Sequence, residues 1–260
     1  KSVRFADDQA LISQSAKGLQ ALVDALDKRC EEYGMRINHK KTKVMRFCKA
    51  SRARNVRLKV KVGGEKLEQV EQFNYLGSTL EENGYSSKDI RKRIALAKEA
   101  FMNRRELMRG SLCKSLKKRL VKSLIWSVAL YGAETWTLRK EDERRLEAFE
   151  MWVWRRMEKV KWTERRRNDE VLDMVGEERQ LLDEIRRRQK VWMERVLSGE
   201  GMLKTVLEGR MLGKRGRGRK RIGFLDRMKG SRPYCELKRE VHEGRGGCQN
   251  ASQVLHGNLP

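Results

Sequence analysis

The chain has 260 residues, with 61 Lys or Arg against 36 Asp or Glu, and its formal net charge is +25. This excess of cations favours a polyanionic partner, and nucleic acid fits better than a membrane. The longest apolar stretch, residues 124–131, is far shorter than the roughly 20 residues that span a bilayer, so no membrane partner is expected.

The five cysteines are scattered, and no secretory signal precedes them. An odd number of cysteines in such a chain predicts a reducing compartment and no disulfide partner. The first residue is Lys1 rather than Met, and the opening stretch already has the pattern of a strand. We therefore expect the chain to be a fragment that lacks an N-terminal part.

Residues 2–47 have the pattern strand, turn, strand, helix, strand, with the helix over 16–33 and Gly34 ending it. Residues 56–62 alternate with period two, Gly63-Gly64 supplies a turn, and 70–76 resumes a strand. These elements predict an α+β block that ends near Leu80.

The chain after residue 86 is predicted to be helical, and regular periodicity fades from Gly199 onward. The predicted helices cover residues 87–109, 116–131, 140–157 and 178–197. In the last of them, the buried face is predicted to be Leu182, Ile185, Trp192 and Val196. Residues 213–221 combine glycines with a run of cations, and residues 230–260 are polar and glycine-rich, so the tail is predicted to be partly disordered.

Asp7 and Asp8 are adjacent carboxylates at the tip of the first predicted hairpin. One interpretation is a solvated turn, since Asp suits turns through its short hydrogen-bonding side chain. The other is a divalent-cation site, because hard oxygen ligands hold Mg²⁺ and offset the repulsion between the carboxylates. A two-metal site for phosphoryl transfer needs a further carboxylate from elsewhere.

Three motifs follow one another between residues 5 and 78. The first, Phe5-Ala-Asp-Asp8 between hydrophobic strands, resembles the [YF]-x-D-D palm motif of reverse transcriptases. Residues 34–45, GMRINHKKTKVM, are similar to the G-L-x-I-N-x-x-K-T-x-x-M stretch that follows it in retrotransposon polymerases, and Phe73-Asn-Tyr-Leu-Gly-Ser78 is similar to their primer-grip segment. Residues 130–136, 145–152 and 213–221 resemble segments downstream of the polymerase in LINE-type, non-LTR elements.

The resemblance implies roles for residues in the first part of the chain. Asp7 and Asp8 correspond to the metal-binding carboxylates of the palm, with Asp7 the principal ligand, and the complete enzyme would bind two Mg²⁺ or Mn²⁺ ions. Lys41 or Lys43 corresponds to the lysine region near the incoming triphosphate, although a solvated basic turn explains both equally well. The resemblance assigns the primer grip to Phe73, Tyr75, Leu76 and Gly77, some of which could equally be core.

The resemblance also implies a domain organisation: the end of the palm over 1–80, a helical thumb over 81–198 and a basic extension over 199–260. The partners implied are an RNA template, a DNA primer or target and a dNTP, with target-primed synthesis in the nucleus. A further palm Asp and the fingers would precede Lys1, so we expect this fragment to be inactive alone. The alternatives are a non-catalytic nucleic-acid-binding remnant of such an element and an unrelated basic helical protein.

The nucleic-acid surface is predicted to lie on the helical part and the tail. Most of the six tryptophans have helical spacing among apolar residues and are predicted to be core, with Trp154 and Trp162 as the exposed candidates for base stacking. Cys235, His242 and Cys248 have no compact zinc-site spacing. The predicted nucleic-acid-binding cations are Arg155, Arg156, Lys161, Arg165, Lys214, Arg215, Arg217, Arg219, Lys220 and Arg221.

Overall fold

The computed structural model describes residues 2–47 and 57–208, together with residues 225, 233–236 and 239. The chain divides into two compact units, Lys1–Asp89 and Ile90–Pro260. The first unit contains pairs of short strands and one helix, and the second is helical wherever regular structure is described. The predicted α+β class is therefore confirmed.

The first unit begins with a hairpin and a helix. Strands β1 (Ser2–Phe5) and β2 (Asp8–Leu11) pair antiparallel, and α1 spans Ala16–Glu32. Ser15 caps α1, because its side-chain oxygen accepts a hydrogen bond from the Gly18 N–H at 3.1 Å. Gly34 follows the helix with a φ of +67°, which is the left-handed conformation that glycine adopts at helix ends.

The other strands of the first unit form three further pairs. β3 (Lys43–Val44) runs parallel to β6 (Glu68–Gln69), and β4 (Lys61–Val62) pairs with β5 (Glu65–Lys66). The fourth pair is β7 (Gln72–Tyr75) with β8 (Ser78–Glu81). The small core consists of Val23, Val44, Val60, Val62 and Leu67.

The strand predicted over 56–62 is shorter than expected. Only Lys61 and Val62 are in a strand ladder, while Val56 lies outside the described residues. Burial still alternates, since Val60 and Val62 are buried and Lys61 between them is exposed. The period-two pattern therefore identified the inward-facing side chains correctly, although it overestimated the length of the ladder.

The second unit is built from helices joined by short connections. Helix α2 begins at Ser87, just before the division, and α4 continues into α5 through a π-helical segment, Val121–Ile125. The helices are α2 (Ser87–Asn103), α3 (Arg105–Arg109), α4 (Lys114–Leu120), α5 (Trp126–Ala129), α6 (Lys140–Met157), α7 (Asn168–Val175), α8 (Leu181–Ser198) and α9 (Met202–Glu208).

The buried face of α8 differs from the predicted one. The buried residues are Leu181, Ile185, Gln189, Met193 and Leu197, so Ile185 is the only shared member. Gln189 can lie on the buried face because its side-chain amide donates to the Ala133 and Trp136 carbonyl oxygens, at 3.1 and 2.9 Å. The apolar spacing therefore indicated the wrong face of α8, because the true buried face includes a polar residue, Gln189, whose hydrogen-bond partners are also buried.

The core of the second unit lies chiefly between α2, the π-helical segment with α5, α6 and the start of α8. Trp154 is fully buried and meets Trp126 edge-on, with ring centroids 6.2 Å apart. Trp152 is half-buried and packs edge-on against Phe101 at 5.4 Å. These aromatic contacts explain why most of the tryptophans are core residues, as predicted.

Two further findings concern the described part of the chain. No helix there is long and apolar enough to cross a membrane. Cys30, Cys113 and Cys235 are free thiols.

Candidate active site and nucleic-acid interface

The acidic hairpin, residues 5–8, presents both carboxylates on its exterior. Phe5 pairs with Asp8 across the β1–β2 ladder, which leaves Ala6 and Asp7 as the two turn residues. Asp7 and Asp8 are exposed, and Phe5 beside them is 63% exposed. Ala6 has a φ of +50°, a conformation that a non-glycine residue adopts only at some cost. The tight turn therefore places two neighbouring carboxylates within reach of an external ligand.

The donor set of the acidic hairpin fits a hard divalent cation only in part. Mg²⁺ is usually bound by one or two carboxylates, with water and substrate phosphates completing the octahedron, and Asp7 and Asp8 can supply the two carboxylates. Within the described residues, no group of three or more His, Cys, Asp or Glu side chains could hold a metal ion. The two aspartates thus form an open, incomplete ligand set.

The two candidate lysines lie in different environments. The Lys43 ammonium forms an ion pair with Glu68 across the β3–β6 pair. Lys41 is exposed in the preceding turn, where its backbone N–H donates to the Asn38 side-chain oxygen at 3.1 Å. Because Glu68 neutralises Lys43 locally, Lys41 has the ammonium that is more accessible to an anionic ligand.

The grip hairpin, residues 73–80, is the second motif-bearing hairpin of the first unit. Phe73 pairs with Leu80, and the turn residues Leu76 and Gly77 have φ values of +47° and +81°. Positive φ at both positions is the pattern of a type I′ turn, which fits the twist of a two-residue hairpin. Leu76 is 38% exposed, while Phe73 and Tyr75 are half-buried. The exposed tip and the half-buried stem therefore agree with a mixture of contact and packing roles.

Arg155 and Arg156, at the end of α6, make local contacts. The Arg155 guanidinium donates to the Arg166 carbonyl oxygen at 2.8 Å and to the Asn168 side-chain oxygen at 2.9 Å. The Arg156 guanidinium lies over the Trp152 ring, 4.4 Å from its centroid. Arg155 thus fixes the following loop, whereas Arg156 is exposed and stacked.

The indole turn, residues 161–165, is the most exposed aromatic feature among the described residues. It contains a single 3₁₀ turn, Trp162–Glu164, and the Trp162 side chain is 95% exposed. Lys161 and Arg165 beside it are also exposed. Trp154, the other predicted stacking candidate, is buried, so that prediction is wrong. Its position on α6 between the buried Val153 and Met157 faces the core.

The remaining predicted cations lie outside the described residues. These are Lys214, Arg215, Arg217, Arg219, Lys220 and Arg221. Of the three disfavoured zinc ligands, Cys235 is exposed, and His242 and Cys248 also lie outside the described residues.

Sequence reasoning missed a buried carboxylate in the helical unit. Glu150 is 1% exposed, and one of its oxygens accepts the backbone N–H groups of Gln180 and Leu181 at 2.9 and 3.2 Å. Burial raises the pKa of the Glu150 carboxyl above its usual value, although these hydrogen bonds act against the rise. Because its partners lie 30 residues away, no local pattern could have indicated this role.

A charged groove beside the π-helical segment was also missed. In the groove, the Lys122 ammonium donates to the Glu177 and Gln180 side chains, both at 2.9 Å. The Arg187 and Arg188 guanidinium groups hold the pKa of Glu184 down at about 2, against the opposing effect of its partial burial. The groove is lined by Lys122, Trp126, Gln180, Asp183, Glu184, Arg187 and Arg188.

Comparison with known proteins places a family match on the unit that carries both hairpins. Residues 1–80 match the family described as reverse transcriptase (RNA-dependent DNA polymerase). The chain is also 26% identical over 198 residues to a transposon-derived protein of Caenorhabditis elegans, across 74% of this chain and 69% of that protein. No solved structure matches. Residues 1–80 are thus similar to reverse transcriptases, and the chain over most of its length is similar to a transposon-derived protein.

Proposed function

We propose that the chain is the C-terminal part of a LINE-type, non-LTR retrotransposon reverse transcriptase. Residues 1–80 are the end of the palm, 81–198 the thumb and 199–260 a basic extension. The observation that carries the proposal is the acidic hairpin, whose two exposed carboxylates lie within the region that matches the reverse transcriptase family. The downstream motifs of residues 130–136, 145–152 and 213–221 support the LINE-type assignment.

The reaction proposed for the complete enzyme is the extension of a DNA 3′-hydroxyl along an RNA template with dNTPs. Asp7 and Asp8 would hold Mg²⁺ or Mn²⁺, and these ions would supply charge stabilisation for nucleotidyl transfer. Asp7, at the turn, is the principal ligand, and Asp8 is the second. A further carboxylate and the fingers residues are contributed from outside this chain, so the chain alone does not polymerise.

Two other groups of the first unit have proposed roles in the same reaction. Lys41 is the better candidate to neutralise the triphosphate, because its ammonium is exposed whereas that of Lys43 is paired with Glu68. Leu76 and Gly77, at the tip of the grip hairpin, contact the primer strand, while Phe73 and Tyr75 anchor the hairpin stem. The setting proposed for this activity is the nucleus.

The competing function is a non-catalytic nucleic-acid-binding remnant of such an element. The observation in its favour is that, within the part of the chain that the structure describes, Asp7 and Asp8 belong to no group of three or more side chains that could hold a metal ion. In that case the cations of the helical unit and the tail still bind RNA or DNA, and the carboxylates have no catalytic role.

Primer extension on an RNA template, by the element-encoded protein that contains this chain, tests the proposal. Asp7→Ala is expected to lower extension about a hundredfold or more, because metal-stabilised transition-state charge accounts for several kcal/mol of the barrier. RNA binding is expected to persist. Glu31→Ala, which removes an exposed carboxylate of α1, is the control and should leave extension unchanged.

The outcomes separate the two functions. Full extension by the Asp7→Ala protein contradicts the metal assignment. If the unaltered protein binds RNA but does not extend a primer, the remnant is the correct interpretation.

A further inference from the structure

Trp162 is unlike the other tryptophans of the chain. Its side chain is 95% exposed, whereas Trp126, Trp136 and Trp154 are each at most 5% exposed and belong to the core. Trp152 and Trp192 are half-buried and pack against hydrophobic clusters. Packing thus accounts for the other five indoles, whereas the exposed ring of Trp162 lies outside the core of the helical unit.

The backbone around Trp162 is held in place by several specific contacts. The Glu164 carboxylate accepts the Lys161 backbone N–H at 2.9 Å and the Arg166 Nε–H at 2.9 Å. These two hydrogen bonds hold the pKa of Glu164 below its usual value, so the Glu164 carboxylate stays ionised at neutral pH. From the other side, Arg155 donates to the Arg166 carbonyl oxygen. The ring therefore projects from an ordered turn, which lowers the entropy lost when a ligand binds.

The charges around the ring are predominantly positive. Residues 159–166 contain four cations, Lys159, Lys161, Arg165 and Arg166, against the single carboxylate of Glu164. Arg166 is paired with that carboxylate. The side chains of Lys159, Lys161 and Arg165 form no ion pair within the described part of the chain, so their charges are available to an anionic ligand.

We propose that the indole turn is a single-stranded nucleic-acid subsite, in which Trp162 stacks on one unpaired base while Lys161 and Arg165 contact the flanking phosphates. Every base has a π-face and every nucleotide has a phosphate, so one exposed ring between two cations matches the repeat of a single strand. The inference deepens the proposed function, because it rests on nucleic-acid binding by the helical unit and specifies an unpaired segment as the ligand there.

A protein partner fits this surface less well. A protein docking site typically surrounds its aromatic anchor with apolar residues, but the neighbours of Trp162 in sequence are charged or polar apart from Val160, which is half-buried. The net charge of the whole chain, +25, also favours a polyanion.

Fluorescence anisotropy with two labelled strands tests the subsite. One strand is a uridine 12-mer, and the other is a 12-mer of the same charge with abasic sugars. Trp162→Ala is expected to weaken binding of the uridine strand about 5- to 150-fold, which is the usual effect of losing one stacked base. Binding of the abasic strand is expected not to change, because that strand has nothing to stack.

Four variants serve as references for this test. Trp162→Phe and Trp162→Tyr keep a π-face and should retain most of the affinity. Tyr33→Ala removes an aromatic ring that is 74% exposed in the other unit, and it should have no effect. Arg165→Ala should weaken binding of both strands to the same extent. It should also lower the steepness of log affinity against log salt by about one, which is the signature of a phosphate contact.

The possible results either support or overturn the inference. The inference is supported if Trp162→Ala lowers the affinity for the uridine strand and leaves the affinity for the abasic strand unchanged. Equal affinity of the Trp162→Ala and unaltered proteins overturns it and leaves the nucleic-acid function standing, as does an equal loss on both strands. If the unaltered chain binds neither strand at moderate salt, nucleic-acid binding by the helical unit fails together with the subsite.

Discussion

The two units of the molecule differ in how they combine structure and chemistry. The first unit contains both motif-bearing hairpins, yet among its described residues only five form the buried core, and the strands are paired two by two. The family match lies within the first unit, whereas the second unit has a continuous aromatic and aliphatic core. The motifs that resemble a known family therefore lie in the unit with the smaller core.

The location of the tryptophans allows the unfolding of the two units to be measured separately. All six lie beyond residue 89, so tryptophan fluorescence reports on the second unit alone. Hydrogen exchange with mass spectrometry follows the first unit peptide by peptide. Because the two main cores share no residue, we expect a core substitution in one unit to change the unfolding of that unit only.

The largest effect is expected from Phe149→Ala in the second unit. Phe149 is 1% exposed on α6, and truncation of a buried phenylalanine costs about 3–5 kcal/mol of unfolding free energy. Urea denaturation followed by tryptophan fluorescence should therefore show a much lower midpoint. Leu107→Ala, which truncates a leucine of the same unit that is 43% exposed, is the control and should change that midpoint far less.

A somewhat smaller effect is expected from Leu67→Ala in the first unit. Leu67 is 4% exposed, and loss of a buried leucine costs about 2–5 kcal/mol. Exchange should accelerate in peptides that cover the small core, while the fluorescence midpoint stays the same. Leu80→Ala, at a site that is 39% exposed, should accelerate exchange far less. A shift of the fluorescence midpoint by Leu67→Ala would show that the units unfold together.

The smallest effect on unfolding free energy is expected from substitution of the buried Glu150. Glu150→Ala leaves the N–H groups of Gln180 and Leu181 without their acceptor, at a cost of about 1–3 kcal/mol. Glu150→Gln keeps an oxygen acceptor and should cost less. The readout is again the fluorescence-detected urea midpoint.

The pH dependence of the same site has a definite sign. Burial raises the pKa of Glu150 in the folded state above the value of 4.5, so folding favours the protonated carboxyl. Its contribution to stability is present at low pH and is lost as the pH rises from 4.5 through the folded pKa. Glu150→Gln should remove this decline, whereas an unchanged pH profile would contradict the assignment.

The sequence predicted regular elements well where periodicity alone decides them. Helix α6 spans Lys140–Met157, the predicted range, and Leu146, Phe149, Val153 and Met157, which are spaced at helical intervals, are buried. Trp154 was misassigned because its charged neighbours Arg155 and Arg156 suggested an exposed site, although helical geometry turns it inward. Neighbours in sequence are therefore a poor guide to exposure on a helix.

The part of the site that could not be predicted depends on contacts between distant residues. The ion pair of Lys43 with Glu68 and the hydrogen bonds of Arg155 to the loop after α6 require the folded chain. Both contacts change the interpretation of a predicted ligand-binding cation. Glu68 neutralises the charge of Lys43, and Arg155 uses its guanidinium to hold the backbone at Arg166. The motifs identified the acidic hairpin, whereas the fold was needed to rank the cations.

The most direct test of the central claim is to locate a divalent metal on the protein. Fe²⁺ in place of Mg²⁺, with ascorbate and peroxide, cleaves the backbone close to where it binds, and mass spectrometry maps the cuts. We expect cuts at residues 5–9 that disappear with excess Mg²⁺ and in the Asp7→Asn/Asp8→Asn protein. Cuts confined to the carboxylates that line the charged groove, Asp183 and Glu184, with an intact acidic hairpin, would contradict this assignment.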